Sequence, residues 1–234
     1  MLILVTDAHI RENTAAAADF EAMLDHVSAG RHDIAFLGDV IDLWVALPRF
    51  PNAAGQSLLA WCRQEKSRRY VGFVEGNHEF FVHRHHGGDF SGSSELALRH
   101  GQCMFLHGDH IQTISLLNSF ILWLAKSWFG YAAMRWAPWA PQITAWMKSK
   151  LSSEARGIVD NLPEAAVRAW AERRLRRRPG RQLFLGHFHV PAVWPLAHAS
   201  VCRVVPAWRN GGQIGLYDPV TGAYRVGPWR EVLG

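Results

Sequence analysis

The stretch IAFLGDVID, Ile34–Asp42, decides the fold: an aliphatic, strand-like run delivers two carboxylates, Asp39 and Asp42, across a glycine. The same pattern recurs along the chain. Leu2–Val5 precedes Asp7-Ala8-His9, and Tyr70–Val74 precedes Gly76-Asn77-His78-Glu79. Further on, Cys103–Leu106 precedes His107-Gly108-Asp109, and Gln182–Leu185 precedes Gly186-His187-Phe188-His189. In an open α/β sheet the strand ends feed one crevice, so five such loops bring their polar residues to one place. Hard oxygen donors mixed with imidazoles suit divalent Mn, Fe or Zn better than a pure Mg or Ca cage.

Working outward, strand and helix signals alternate over the first 110 residues. Helical spacing runs from Asn13 to Ser28 and stops at Gly30, and a second helix is predicted around Ser57–Lys66. The segment after Glu79 begins helically and ends at Gly87-Gly88, and another helix is predicted around Ser94–Arg99. The tail reads as short strands, Val201–Val205, Gln213–Tyr217 and Ala223–Val226, separated by Gly and Pro turns. Alternation followed by a meander predicts an α/β fold of two sheets packed face to face with helices outside.

Residues 111–181 break this rhythm. The front of the segment is apolar, yet its longest uncharged run, Ile111 to Ala125, is 15 residues, short of the roughly 20 needed to span a bilayer. Five of the eleven Trp fall within 123–146 (Trp123, Trp128, Trp136, Trp139, Trp146), and Trp favours membrane–water interfaces. The expectation is a helical cap, 111–181, on a core formed by 1–110 and 182–234. Such a cap either docks by its apolar side, or also grips a greasy substrate or lies on a bilayer.

Bulk properties agree with one soluble α/β core. The chain has 234 residues, 49% apolar and 19% charged, and its length needs no covalent staple. Cys62, Cys103 and Cys202 make no disulfide framework, and no basic leader precedes the first strand, so a cytoplasmic location is expected. The net charge of +5 owes much to Arg168, Arg173, Arg174, Arg176, Arg177, Arg178 and Arg181. That cluster reads as a solvated helix face or as a contact with anionic lipid headgroups. No nucleic-acid-binding motif accompanies it.

As chemistry, the clusters suit two metals roughly 3.5–4 Å apart clamping a phosphoryl displacement. Asp39 is the natural bridge. Asp7, His9 and one His of the Gly-His-Phe-His pair complete one site; Asn77, His107 and the other His complete the second. His78 is expected to protonate the leaving oxygen, with Glu79 orienting its ring. Asp42 and Asp109 are expected to support the ligands by hydrogen bonds. His83, His85 and His86 follow no strand and are read as loop residues. Lys148, Lys150 and Arg156 are candidates to meet a diphosphate, and Trp123 to meet the rest of the substrate.

Asp-x-His, Gly-Asp-x-x-Asp, Gly-Asn-His-Glu, His-Gly-Asp and Gly-His-x-His, in this order, resemble the calcineurin-like metallophosphoesterases. The resemblance covers residues 1 to about 110 and resumes at 182. It implies a four-layer α/β/β/α metallophosphoesterase sandwich with a helical cap insertion. It also implies that Asp7, His9, Asp39 and His189 hold one metal, and Asp39, Asn77, His107 and His187 the other. The apolar insertion after His-Gly-Asp, with Gly186–Val193, Arg203-Val-Val and Ala207-Trp208, is further similar to the UDP-2,3-diacylglucosamine pyrophosphatases of lipid A biosynthesis. That likeness implies two manganese ions, a lipid-linked nucleotide substrate and a peripheral place on the inner face of the cell membrane. This chain departs from that family in carrying His78-Glu79 where the family has Arg-Asp, and Ile111-Gln112 where it has a Cys. The His-Glu form favours the alternative of a phosphatase or phosphodiesterase for a soluble nucleotide or phosphoprotein. A remoter alternative is a non-catalytic scaffold of the same fold. The oligomeric state is left open.

Overall fold

A computed structural model describes residues 1–111, 123–157 and 162–234, with only the backbone described over 150–157. Strands β1 (Leu2–Val5), β2 (Asp33–Phe36), β4 (Val71–Val74) and β6 (Gly92–Ser94) run parallel in one six-stranded sheet. β12 (Gln213–Tyr217) and β13 (Tyr224–Pro228) extend it antiparallel, giving the order β13-β12-β1-β2-β4-β6. The second sheet has the order β10-β11-β9-β8-β7. In it β8 (Cys103–Leu106), β9 (Gln182–Leu185) and β11 (Val201–Val204) are parallel, flanked by antiparallel β7 (Ala97–His100) and β10 (Ala192–Pro195).

The period of two in each strand sorts side chains into layers. Leu2 and Leu4 face inward with Phe105, Phe184 and Val205 to fill the space between the sheets. Ile3 and Val5 face outward against α1 (Ala15–Ala29) and α2 (Ala53–Glu65). On the other side, Met104, Leu106, Leu183 and Leu185 meet Val167, Ala171 and Leu175 of a helix spanning Glu164–Leu175. The result is the four-layer α/β/β/α sandwich that the sequence predicts. Strands this short hold because each buried Leu, Ile or Phe side chain contributes about 1.5–3 kcal/mol.

Helix α1 begins where Thr14 caps it, its hydroxyl accepting the Ala17 N–H at 3.1 Å. It buries Phe20, Met23, Leu24 and Val27, an i, i+3, i+4, i+7 stripe. Helix α2 starts earlier than predicted because Asn52 caps it at Gly55, extending it to Ala53. The predicted helix at Ser94–Arg99 is wrong. Gly92–Ser94 forms the edge strand β6, and Ala97–His100 folds back on β8 through a two-residue turn with Gly101 at φ 56°. The stretch is too short to bury a helical stripe, whereas hairpin pairing satisfies its backbone at once. His83, His85 and His86, read as loop residues, lie on the short helix α3 (Val82–His86).

Two tiny strands, β3 (Trp44–Val45) and β5 (Glu79–Phe80), pair in parallel beside the site loops. They form the platform for the inserted segment. Helix α4 (Trp128–Trp136) docks there, with Met134 and Tyr131 packing among Val45, Leu47, Phe80 and Phe81. It ends at Ala137, held extended (ψ 136°) before Pro138, and α5 (Ala140–Gly157) starts afresh. The Glu164–Leu175 helix, now α6, is a layer of the sandwich itself, so the insertion does more than cap the core. No helix among the described residues is long and apolar enough to cross a membrane. A last helix, α7 (Trp229–Leu233), closes the chain.

Candidate metal centre

Every cluster leaves the C-terminal end of a parallel strand: β1, β2 and β4 in one sheet, β8 and β9 in the other. The face-to-face packing of the sheets therefore aims all five loops into one crevice. Asp39 lies at its centre. Its Oδ2 is 3.4 Å from His107 Nε2, 3.8 Å from His78 Nε2 and 4.0 Å from His9 Nε2. Asp7 Oδ1 is 3.2 Å from His189 Nε2 and 4.0 Å from His9 Nε2. Asn77 Oδ1 is 3.1 Å from His107 Nε2, and the His187 ring lies 5.1 Å from that of His107. All eight predicted residues, Asp7, His9, Asp39, Asn77, His78, His107, His187 and His189, are thus brought together.

The chain bends sharply to achieve this. Asp7, His9, Asp39, His187 and His189 all adopt positive φ, between 46° and 68°. Left-handed backbone costs a non-glycine residue roughly 1–2 kcal/mol, a strain characteristic of functional sites. Gly76 is required by close approach: a Cβ there would lie 2.1 Å from Asp39 Oδ1. Outer contacts then fix the donors. His107 Nδ1 meets the Leu37 carbonyl at 2.8 Å, which turns Nε2 into the crevice. Asp7 Oδ2 accepts from the Thr6 hydroxyl at 2.6 Å and from the His187 N–H at 2.8 Å.

The donor set fits divalent cations. Asp7-His9-His189 and Asp7-Asp39-His107 each place three ligand atoms within 4.8 Å of one another. Burial by itself would raise the pKa of Asp39, but the imidazoles of His107, His78 and His9 hold it well below its ordinary value. Asp7 is likewise lowered, with burial opposed by the His189 hydrogen bond and by His107. Burial pushes His9 down to about 4 and lowers His187, leaving neutral rings with lone pairs to offer. His107 moves the other way: burial disfavours its cation, but Asp39 overrides this and raises its pKa. The carboxylates thus hold positive charge in place, the task a metal performs more completely.

Two predicted roles need correction. Glu79 does not orient His78. Its carboxylate accepts the backbone N–H of Asp39 (2.7 Å), Val40 (2.7 Å) and Gly76 (2.8 Å), pinning two ligand loops together. Burial, reinforced by the nearby Asp39 charge, pushes its pKa up to about 7. The His78 ring is oriented instead by the backbone carbonyl of Asp42, which meets Nδ1. The Asp42 side chain does not hydrogen-bond a ligand histidine; its Oδ1 pairs with Arg11 at 3.0 Å. Backbone acceptors of this kind leave no trace in residue identity.

Asp109 is partly buried, 3.7 Å from His110 Nδ1. Burial would raise its pKa, but His110, His107 and Lys126 hold it down. Trp123 is exposed, and Lys148 is exposed on α5. The side chains of Lys150 and Arg156 lie outside the described residues. His83 and His86 bond Ser93 and Asp89, and the His85 ring stacks on Tyr131, so none joins the centre. The sequence reading passed over three cations near the centre: Arg11, Arg209 and Lys126. Arg209 donates its backbone N–H to the Asp7 carbonyl at 3.3 Å, and its charge contributes to lowering His9.

No family model matches the chain, and no curated protein matches it. Among solved structures it is similar to a conserved uncharacterized protein, a predicted phosphoesterase, from Streptococcus pneumoniae TIGR4. That match has 12% identity and a TM-score of 0.39, covering 97% of this chain and 95% of that one. It is also similar to wild-type Vps29 complexed with Zn2+ from Entamoeba histolytica, with 12% identity and a TM-score of 0.43, covering 97% and 96%.

Proposed function

We propose that this chain is a metal-dependent hydrolase that cleaves a pyrophosphate or phosphodiester bond, using two divalent ions. The observation that carries the reading is the convergence of Asp7, His9, Asp39, Asn77, His107, His187 and His189 at the ends of five parallel strands, with Asp39 central. Asp7, His9, Asp39 and His189 hold one ion; Asp39, Asn77, His107 and His187 hold the other. Mn2+ suits this mixed oxygen–nitrogen set, as do Fe and Zn. When bound, such a pair of ions would supply positive charge at the phosphoryl oxygens and lower the pKa of a water. The Asp42 carbonyl occupies His78 Nδ1, so Nε2 faces the cavity between His9 and Asp39. A proton carried at that atom passes to the leaving oxygen.

The substrate we infer is a lipid-linked nucleotide, UDP-2,3-diacylglucosamine or a close relative, met at the inner face of the cell membrane. Exposed aromatics on the inserted segment support this: Trp128 (65% exposed), Phe129 (70%) and Trp136 (74%) lie on a helix whose other side docks beside the site. Soluble proteins rarely leave such a patch bare unless it meets a partner or a lipid. The basic Arg173–Arg178 run adds attraction to anionic headgroups. Turnover of UDP-2,3-diacylglucosamine by Mn-loaded protein, followed by phosphorus NMR in 18O-water, tests the reading. Release of UMP and a lipid monophosphate is expected.

His78, at the place where the diacylglucosamine pyrophosphatases carry Arg, favours a second reading, a phosphatase or phosphodiesterase for a soluble nucleotide or phosphoprotein. Brisk hydrolysis of an aryl phosphodiester without turnover of the lipid nucleotide would select it. An inert Mn-loaded protein would instead favour a scaffold.

A further inference from the structure

Lys126 is absent from the metal-ligand motifs and belongs to the inserted aromatic segment, yet it reaches the metal centre. Its Nζ donates to the Gly76 carbonyl at 2.6 Å, on the peptide that leads into Asn77. The same ammonium lies 3.7 Å from the carboxylate of Glu75, which is 1% exposed, and 5.6 Å above the Phe80 ring. Glu75 in turn accepts the His83 N–H at 2.7 Å, tying the start of α3 into the same knot.

The Gly76 residue is therefore gripped at both backbone ends by side chains. Glu79 of the core accepts its N–H at 2.8 Å, and the Lys126 ammonium of the insertion donates to its carbonyl. Hydrogen bonds to charged groups are the strong kind, about twice as strong as neutral ones. Gly76 has no freedom to shift toward Asp39, because the Asp39 carboxylate already abuts it. Asn77, which meets His107 at 3.1 Å, thus directly follows a turn whose outer clamp is Lys126.

We infer that Lys126 is a positioning residue of the metal centre: by clamping the Gly76 carbonyl it sets Asn77 as a ligand, so the inserted segment helps to assemble one metal site. This rests on the reading of Asn77, His107 and His187 as ligands of one ion. It makes the Asn77 ion, and not the Asp7-His9-His189 ion, depend on the insertion.

The test is Mn2+ titration of chelator-treated full-length protein by calorimetry, with electron paramagnetic resonance reporting the coupled ion pair. Wild type is expected to bind two ions. Lys126→Met is expected to weaken one of them by about 10–100-fold, as loss of an outer hydrogen-bond partner does, and to lose the coupled signal at limiting Mn2+. The other ion keeps its affinity, and Lys126→Arg restores both. Wild-type affinity for both ions in Lys126→Met overturns the inference, whatever happens to KM. If circular dichroism shows Lys126→Met unfolded, Glu75→Gln carries the test: selective weakening of the same ion supports the inference, and wild-type affinities refute it. Fewer than two ions in wild type sinks the dinuclear reading and this inference together.

Discussion

The cradle of strand-end loops and the inserted segment invert the usual relation of polarity to burial. In the cradle, charged groups are inside: Asp7, Asp39, Glu79 and His107 are each at most 2% exposed, and each has several hydrogen-bond or charge partners. In the insertion, large apolar groups are outside, with Trp128, Phe129 and Trp136 facing solvent. Burying a charge is costly unless it is paired, and exposing an aromatic is unfavourable unless something covers it. On the function proposed above, the two regions call for opposite partners: cations for the cradle, an amphiphile for the insertion. Lys126 and the β3–β5 platform join them.

The largest break in this comparison is expected from Asp39→Ala. Losing the central carboxylate should lower metal affinity by more than the roughly 100-fold that loss of an outer partner costs, read by calorimetry. Hydrolysis of every phosphate substrate should fall with it. His78→Ala comes next: a drop of about 10²–10⁴-fold in kcat with metal content unchanged, as expected for a general acid. A matching loss of bound metal would instead make His78 a ligand.

Glu79→Gln is smaller and acts on stability. An amide NH2 must then face backbone N–H donors, at about 1–3 kcal/mol, measured by urea unfolding of metal-free protein. It also carries a pH signature. The folded pKa of about 7 exceeds the ordinary 4.5, so between those values the native state binds the extra proton and wild-type stability falls as pH rises. Glu79→Gln should flatten the part of that slope due to this group. Smallest on stability is the pair Trp128→Ser, Phe129→Ser, within about 0.5 kcal/mol because both side chains are exposed. Its effect should appear only on acylated substrate and on anionic vesicles, with a small aryl phosphate hydrolysed as before. Equal loss on both substrates would remove the contrast between the two regions.

Much of this was legible because it is local. The aliphatic runs before Asp7, Asp39, Asn77, His107 and His187 read directly as strands, and the stripe on α1 as a helix. What was misread or passed over depends on partners the segment itself does not contain. Ala97–His100 is a strand because β8 lies beside it, and Trp44–Val45, on which the sequence reading was silent, because Glu79–Phe80 does. Glu79 sits next to His78 in sequence, so it was assigned to that ring. In space its carboxylate turns toward the amides of the neighbouring ligand loop instead.

The sequence by itself determined which residue types reach the crevice and in what order, since strand period and a glycine-bearing loop end are set by neighbouring residues. Only the tertiary structure decided that a carbonyl orients His78, and that a lysine from the insertion grips the Asn77 turn. Those facts belong to backbone groups and side chains brought together across 36 to 50 positions, and backbone groups are the same in every residue.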